Sequence, residues 1–156
     1  MQFNLITAGT ANHAAAVAWI ADYSQRIARF ARYERKSVRC VQRARSGVDA
    51  SARSRESAAI LHQLPPTAFV VLLDSSGIRL DCDILRDQLQ KIAQDGGRTI
   101  WFVIGGPDGV DPPLAARADA TWSLSPLTLP HELAEVVLLE QLYRALTRLK
   151  GLPYHR

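Results

Sequence analysis

Two apolar runs decide the fold, AFVVLLD at residues 68–74 and TIWFVI at residues 99–104. Each run is short, continuous and followed by turn residues, which is typical of a strand buried on both faces of a parallel sheet. The segment between them has helical spacing over residues 82–95 and begins after Asp81, a residue suited to capping a helix. A strand, a helix and a second strand in this order predict an α/β fold with a mostly parallel sheet flanked by helices.

The rest of the chain supplies further elements around these two strands. A helix over residues 13–30 carries an aromatic stripe of Trp19, Tyr23 and Phe30, which we interpret as core packing. No internal repeat or convincing linker interrupts the pattern, so we expect residues 1–156 to form a single domain. The other predicted elements are strands at 2–8, 37–41 and 121–124, helices at 55–64, 112–118 and 130–150, and an Arg-rich mobile loop at 42–54.

Composition excludes several classes of protein. Hydrophobic residues make up 47% of the 156 residues and charged residues 22%, which is typical of a folded globular chain. No apolar run reaches the roughly 20 residues of a membrane span, and the first residues lack a basic leader with a cleavage site. Cys40 and Cys82 have no metal-ligand spacing, so we expect reduced thiols, no metal and a cytoplasmic location.

Positive charge is concentrated in one segment. Residues 26–56 contain ten basic side chains against three acidic ones, although the whole chain carries a net charge of only +4. Nine of the ten are arginines, whose planar guanidinium binds a phosphate through two hydrogen bonds. A polyanionic partner is the favoured interpretation. The alternative is a genome rich in G and C, which explains the choice of arginine over lysine but not the clustering.

Three loops are the candidate ligand site, because ligands of an open α/β sheet bind beyond the carboxyl ends of its strands. They follow Leu73, Ile104 and Leu124. The turn GGPDG at residues 105–109 matches no nucleotide-phosphate motif and is compatible with a simple tight connection. His131 opens the last helix, where a histidine is more often a surface or capping residue than a catalyst.

Several motifs taken together resemble one family. The chain is similar to the small bacterial methyltransferases of the SPOUT class that modify N3 of a pseudouridine in 23S ribosomal RNA. The resemblance covers essentially the whole chain, including the length, the opening strand and the Leu73-Asp74 strand end. The motifs that carry it are IGGPDG at residues 104–109, WSLSPLTLPH at residues 122–131, LYRA at residues 142–145 and PYHR at residues 153–156.

The resemblance implies a fold, a cofactor and the residues that bind it. The fold is a SPOUT fold with a C-terminal trefoil knot, which spacing alone would not have suggested. The cofactor is S-adenosyl-L-methionine, read by main-chain groups and packed by apolar side chains. Glycine at position 105 would leave room for it. The pocket that the resemblance implies consists of Leu73, Gly105, Leu124, Ser125, Pro126, Leu127, Thr128 and Leu129.

The resemblance also implies a homodimer in which the C-terminal tail of one subunit, residues 151–156, completes the site of the other. Apolar residues on more than one face of the last helix are compatible with such an interface. The imide N3 of pseudouridine is a poor nucleophile until its proton is lost. We assign Arg144 and Arg156 to electrostatic stabilisation of the imide anion, and His131, His155 or Tyr154 to proton handling and base positioning.

The expected substrate is a ribosomal stem-loop in the assembled particle, with segment 26–55 contacting phosphates and Tyr154 stacking on a base. The chain departs from the family at residues 42–57, where an acidic Glu-Gly-Glu turn is usual, and in having Pro126 in the cofactor loop. Three alternatives remain at this point: a SPOUT methyltransferase acting on tRNA, a non-catalytic ribosome-associated RNA-binding protein, and a dinucleotide oxidoreductase. The missing glycine fingerprint disfavours the last of these.

Overall fold

A computed structural model of the chain describes residues 1–42, 47–94 and 99–155. Within these ranges, strands and helices alternate along the chain and end in a short 3-10 turn. The strands are β1 (Gln2–Ala8), β2 (Arg32–Val38), β3 (Phe69–Arg79), β4 (Ile100–Ile104) and β5 (Ala120–Ser123). The helices are α1 (Ala14–Ala28), α2 (Ala50–Gln63), α3 (Cys82–Gln94), α4 (Pro112–Arg117) and α5 (His131–Leu149), followed by the turn Pro153–His155.

The strands form one sheet in the order β2-β1-β4-β3-β5, and every strand pairing in it is parallel. The two apolar runs pair directly, with Leu73 opposite Ile104. Leu73 also lies opposite Trp122 of β5. Because all the strands run in one direction, the loops that follow β4 and β5 leave the sheet at one edge, beside Leu73 of β3. The predicted α/β class with a parallel sheet is confirmed.

Helices cover both faces of the sheet. Phe3, Phe102 and Trp122 point to the face covered by α1, α3 and α5 and are almost completely buried. Ile6, Val70 and Trp101 point to the other face, which α2 and α4 cover. This alternation along strands that are buried on both faces explains why their sequences are continuously apolar. No helix in the described ranges is long and apolar enough to cross a membrane.

Strand β2 is Arg32–Val38, so the prediction of a strand over 37–41 was wrong by several residues. The strand has a polar sequence, RYERKSV, and pairs only with β1 at the edge of the sheet. An edge strand exposes much of its surface and needs no apolar run. The hydrophobic pattern of the sequence therefore did not indicate where β2 begins and ends.

The predicted loop over residues 42–54 is too long, because helix α2 already begins at Ala50. Asp49 caps this helix by accepting a hydrogen bond from the Ala52 amide at 2.8 Å, and Ala52 is fully buried. The prediction missed the start because the first turn, ASARS, has only this small residue as an apolar anchor. Residues 43–46 of the predicted loop, including Arg43 and Arg45, lie outside the described residues.

The first apolar run, residues 68–74, was expected to end in a turn formed by Ser75, Ser76 and Gly77, but strand β3 continues to Arg79. An irregularity between Leu73 and Ile78 shifts the register, after which Ile78 and Arg79 pair with Trp122 and Ser123. Glycine at position 77 lets β3 run this close to β5, because a Cβ atom there would lie 2.6 Å from the backbone carbon and oxygen of Thr121.

Helices α1 and α5 pack against each other and leave part of their apolar surface uncovered. Trp19 was predicted to belong to the core, but 52% of it is exposed, and its ring stacks on Tyr23. On α5 the buried face includes Leu138 and Leu142, whereas Leu133 is 51% exposed. The surplus of apolar residues expected on α5 is therefore present at the surface.

Candidate functional site

A cleft of about 680 Å³ lies at the carboxyl edge of β4 and β5, beside the point where β3 shifts register. It is formed by the three segments selected from the sequence, which follow Leu73, Ile104 and Leu124. Of the eight residues expected in a pocket here, seven line the cleft: Leu73, Gly105, Leu124, Ser125, Leu127, Thr128 and Leu129. Pro126 is the exception, since it is exposed and does not line the cleft. It lies in a bend between Ser125 and Leu127, which do line it.

The glycine turn after β4 closes on itself. Gly106 and Gly109 form an isolated antiparallel bridge, and Gly109 has a φ of +75°, a conformation that favours glycine. A Cβ atom at position 105 would lie 2.8 Å from Cγ1 of Val110 and 3.2 Å from Gly109. The structure thus gives a reason for glycine at 105 that differs from the expected one, because the loop's own packing requires it.

The loop between β5 and α5 is held by serine side chains. The Ser123 hydroxyl donates to the carbonyl oxygen of Ser125 at 2.9 Å, and the Ser125 hydroxyl accepts from the Leu127 amide at 3.0 Å. Leu127 follows this turn, and 71% of it is exposed at the rim of the cleft. A large apolar side chain held in solvent beside a cleft is suited to covering an apolar ligand.

Asp74 and Ser75 also line the cleft, although neither was among the expected pocket residues. The carboxylate of Asp74 accepts hydrogen bonds at Oδ1 from the amide and hydroxyl of Ser76, at 2.8 and 2.6 Å. These two bonds lower the pKa of Asp74 below its ordinary value. The signal available in the sequence was an acidic residue directly at the end of a buried strand.

His131 lies at the first position of α5 and lines the cleft. Its Nε2 atom is buried, has no hydrogen-bond partner within the described ranges, and lies close to Gly9 at the end of β1. The neighbouring Glu132 accepts hydrogen bonds from the backbone amides of Asn12 and His13, and the bond from Asn12 is the main reason that its pKa is lowered. Glu132 thus ties the start of α5 to the loop after β1.

Arg144 and Tyr154 form a second cluster, away from the cleft. Glu140 binds the Arg144 guanidinium through Nε and Nη2, at 3.1 and 2.5 Å, and accepts a longer bond from the Tyr154 hydroxyl at 3.5 Å. The guanidinium carbon of Arg144 lies 5.1 Å from the centre of the Tyr154 ring. Arg144 is thirteen residues after His131, so about 20 Å of helix separates the two positions. The chain therefore does not bring Arg144 to the cleft that His131 lines.

The tail folds back onto α1 and α5 at this cluster. Tyr154 meets Tyr143 edge to face with ring centres 4.6 Å apart, and its hydroxyl lies 3.4 Å from that of Tyr23. Burial and the bond with Tyr154 raise the pKa of Tyr23 to about 12. Arg156 and the side chain of His155 lie outside the described residues, so their expected roles stay predictions.

The arginine-rich segment is divided between internal and exposed charges. Arg26 pairs with Asp22 on α1, and Arg35 pairs with the fully buried Glu135 of α5, with Nη2 and Oε2 3.0 Å apart. The arginines that are exposed and form no ion pair with the described part of the chain are Arg29, Arg32, Arg39 and Arg55. No cluster of metal-binding side chains occurs within residues 1–42, 47–94 and 99–155.

Comparison with known proteins assigns the class. A parallel α/β sheet with a ligand-sized cleft at its carboxyl edge is the architecture of many enzymes that bind nucleotide-like cofactors. The family model described as "Predicted SPOUT methyltransferase" matches residues 1–155. The chain therefore belongs to the SPOUT methyltransferase family, which confirms the resemblance seen in the sequence and the expectation of an enzyme.

Several curated relatives carry the name "Ribosomal RNA large subunit methyltransferase H". The relative from Thioalkalivibrio sulfidiphilus is 36% identical over the whole chain and 99% of its own length. That from Acidithiobacillus ferrooxidans is 38% identical over the whole chain and 98% of its own length. The relative from Solidesulfovibrio magneticus is 48% identical over 71% of this chain and 72% of its own.

Proposed function

We propose that this enzyme transfers a methyl group from S-adenosyl-L-methionine to N3 of a pseudouridine in 23S ribosomal RNA, in the assembled ribosome of the cytoplasm. The observation that carries the proposal is the cleft, because three segments far apart in sequence meet there and supply seven of the eight residues that the family resemblance implies. The full-length relatives named as large-subunit ribosomal RNA methyltransferases support the choice of RNA.

The cleft fits the proposed cofactor. Its volume is within the range of about 300–1,000 Å³ that is usual for small-molecule sites. Leu73, Leu127 and Leu129 offer apolar surface for an adenine ring, and the turns at residues 105–109 and 124–129 offer main-chain donors and acceptors for its edge. The bound cofactor supplies a methyl group on a sulfonium, which is electrophilic without further activation.

The residues of the chain therefore have to orient N3 and favour loss of its proton. In the proposed mechanism, Arg144 and Arg156 stabilise the imide anion through its flanking carbonyl oxygens. His131, His155 or Tyr154 accepts the proton or positions the base. Glu140 would hold the Arg144 guanidinium in place for this role, since it binds two of its nitrogens.

A homodimer would bring these groups to the cleft. Arg144 and Tyr154 lie about 20 Å along α5 from His131, and a second subunit could supply them. Trp19 and Leu133 are each about half exposed on the paired helices α1 and α5, and they provide apolar surface that a partner would cover.

Ribosomal RNA would bind through the exposed arginines. Arg29, Arg32, Arg39 and Arg55 form no ion pair with the described part of the chain, so they are available to phosphates. Each phosphate contact releases counterions, and affinity should therefore fall steeply as salt concentration rises.

Two measurements test the proposed function. Isothermal titration calorimetry with S-adenosyl-L-methionine is expected to show binding, whereas no heat and no thermal stabilisation would favour the non-catalytic RNA-binding alternative. Labelled cofactor is then offered with ribosomes and, separately, with bulk tRNA. Label in the ribosomal RNA alone is the expected result, and label in tRNA would favour the other alternative.

Replacement of Arg144 tests its assigned role. We expect Arg144→Ala to reduce turnover by about 100-fold or more, because loss of a group that stabilises a developing anion typically has that effect. Arg148→Ala is the matched control, since Arg148 lies on the same helix but pairs with Asp83 of α3, with Nη2 and Oδ1 2.6 Å apart. Wild-type turnover by Arg144→Ala with normal RNA binding would remove Arg144 from the mechanism.

A further inference from the structure

Asp74 is the only acidic residue among the described residues that line the cleft. No lysine or arginine is among these described lining residues, and His131 is the other ionisable side chain in the wall. Most of the remaining lining is aliphatic or backbone, including Leu73, Ile104 and Leu129. A single carboxylate in such surroundings makes the cleft electrostatically negative.

The Asp74 carboxylate is held by hydrogen bonds to one of its two oxygens, and the other oxygen is available to a ligand. Oδ1 accepts both hydrogen bonds from Ser76, at 2.8 and 2.6 Å. Oδ2 forms no hydrogen bond or ion pair within the described part of the chain. An aspartate is ionised at neutral pH, and the bonds from Ser76 lower the pKa of Asp74 and so favour the ionised form further. The turn therefore holds a permanent negative charge at the wall of the cleft.

A fixed negative charge beside apolar walls interacts more strongly with a ligand charge than it would in water. It favours a ligand with a positive charge at that point. The two ligands that alternate in the proposed reaction differ in this respect. As the N3–methyl bond forms and the sulfur–methyl bond breaks, the electron pair stays on sulfur and the N3 proton passes to the base. The donor is a sulfonium cation and the product a neutral thioether.

We propose that the Asp74 carboxylate determines specificity for the charge state of the cofactor, holding the sulfonium donor more tightly than S-adenosylhomocysteine. This role rests on the proposed function and deepens it. The attraction between Asp74 and the sulfonium is lost when the methyl group leaves the sulfur. This loss would help S-adenosylhomocysteine to dissociate and a new molecule of S-adenosyl-L-methionine to bind. The hydrogen bonds from Ser76 have the separate role of orienting the carboxylate.

The test compares the affinities of both ligands by calorimetry. Asp74→Asn keeps an oxygen that can accept the Ser76 amide but removes the charge. We expect it to weaken binding of S-adenosyl-L-methionine about tenfold, which corresponds to about 1.4 kcal/mol, and to change binding of S-adenosylhomocysteine less than twofold. Asp87→Asn is the matched control, since it removes the same charge from an exposed position of α3 that does not line the cleft, and both of its affinities should stay those of wild type.

Asp74→Ser provides a second uncharged variant if Asp74→Asn does not fold, because a serine hydroxyl can also close this type of turn. Equal weakening of both ligands would overturn the proposal, since it would indicate contact with a part that they share. Unchanged affinities would overturn it as well. If the wild-type protein bound neither ligand, the proposed function itself would be contradicted. Calorimetry on the wild-type protein gives this result before any variant is made, so the two failures can be distinguished.

Discussion

Glu135 is completely buried in α5, and its charge is balanced by Arg35 of the edge strand β2. The two side chains meet through both carboxylate oxygens, and 29% of the Arg35 side chain remains exposed. Bringing a carboxylate out of water is costly unless a partner compensates for it. The pair therefore fixes how β2 lies relative to α5.

We expect Arg35→Ala to lower the free energy of unfolding by about 3–5 kcal/mol, because it leaves the buried Glu135 without a counter-ion. Urea denaturation at neutral pH measures the change. Arg26→Ala is the control, since the pair of Arg26 with Asp22 is exposed on α1 and should contribute at most about 1 kcal/mol. A loss below 1 kcal/mol for Arg35→Ala would contradict the structural role given to the pair.

At the residue scale the sequence allowed the positions facing the cleft to be predicted better than the partners of charged groups. The three loops could be chosen from strand ends and turns, which are local features, whereas the eight pocket residues came from the family resemblance, and seven of them line the cleft. The pair of Glu140 with Arg144 has the i,i+4 spacing that a helix brings together, so the sequence does contain a signal for it. The burial of Glu135 and its pairing with Arg35 depend on packing between elements, and residue types alone contain no signal for them.

Strands β3 and β5 form the element-scale feature on which the cleft depends. Their pairing is interrupted after Leu73 and resumes at Ile78, and the interruption moves Asp74 and Ser75 out of the ladder and into the wall of the cleft. Gly77 passes so close to Thr121 that only hydrogen fits at its Cα.

Gly77→Ala is expected to destabilise the protein by at least about 2 kcal/mol, because a methyl group 2.6 Å from backbone atoms forces the strands apart. The same variant should weaken cofactor binding, since Asp74 would move with the strand. Ser75→Ala, two positions earlier and exposed, is the control and should change stability by less than 0.5 kcal/mol. Equal urea midpoints for both variants would show that the close approach does not exist in solution.

Buried elements could be predicted from the sequence, and peripheral ones only in part. Strands β3 and β4 stand out because both of their faces need apolar residues. Strand β2 and the start of α2 have polar sequences, and tertiary pairing and the Asp49 cap define them instead. The continuation of β3 through a serine-rich segment was hidden because the same residues are typical of turns.

For the whole molecule, the distance between the two clusters of expected catalytic residues is the main constraint. A dimer in which one subunit's tail reaches the other's cleft predicts that two inactive variants complement each other. Arg144→Ala removes the proposed anion-stabilising group, and Leu127→Asp places a charge at the exposed rim of the cleft without disturbing the core. Each variant alone should have little activity.

When the two variants are mixed and allowed to exchange subunits, half of the dimers are mixed and each contains one intact site. Activity should then return to about a quarter of the wild-type value. The measurement is methyl transfer to ribosomes before and after exchange. No recovery, with exchange verified by mass spectrometry of the intact dimers, would contradict a site shared between subunits. The C-terminal trefoil knot implied by the family resemblance also stays a prediction.

The central claim is that this cleft serves methyl transfer to one pseudouridine of 23S ribosomal RNA. Ribosomes that lack the modification are incubated with the enzyme and S-adenosyl-L-methionine carrying a labelled methyl group, and the nucleosides of the digested RNA are analysed by mass spectrometry. The account predicts one labelled methyl group per particle, on N3 of a pseudouridine from the 23S RNA. Label on any other nucleoside, or none in ribosomal RNA under conditions where the enzyme binds its cofactor, would contradict it.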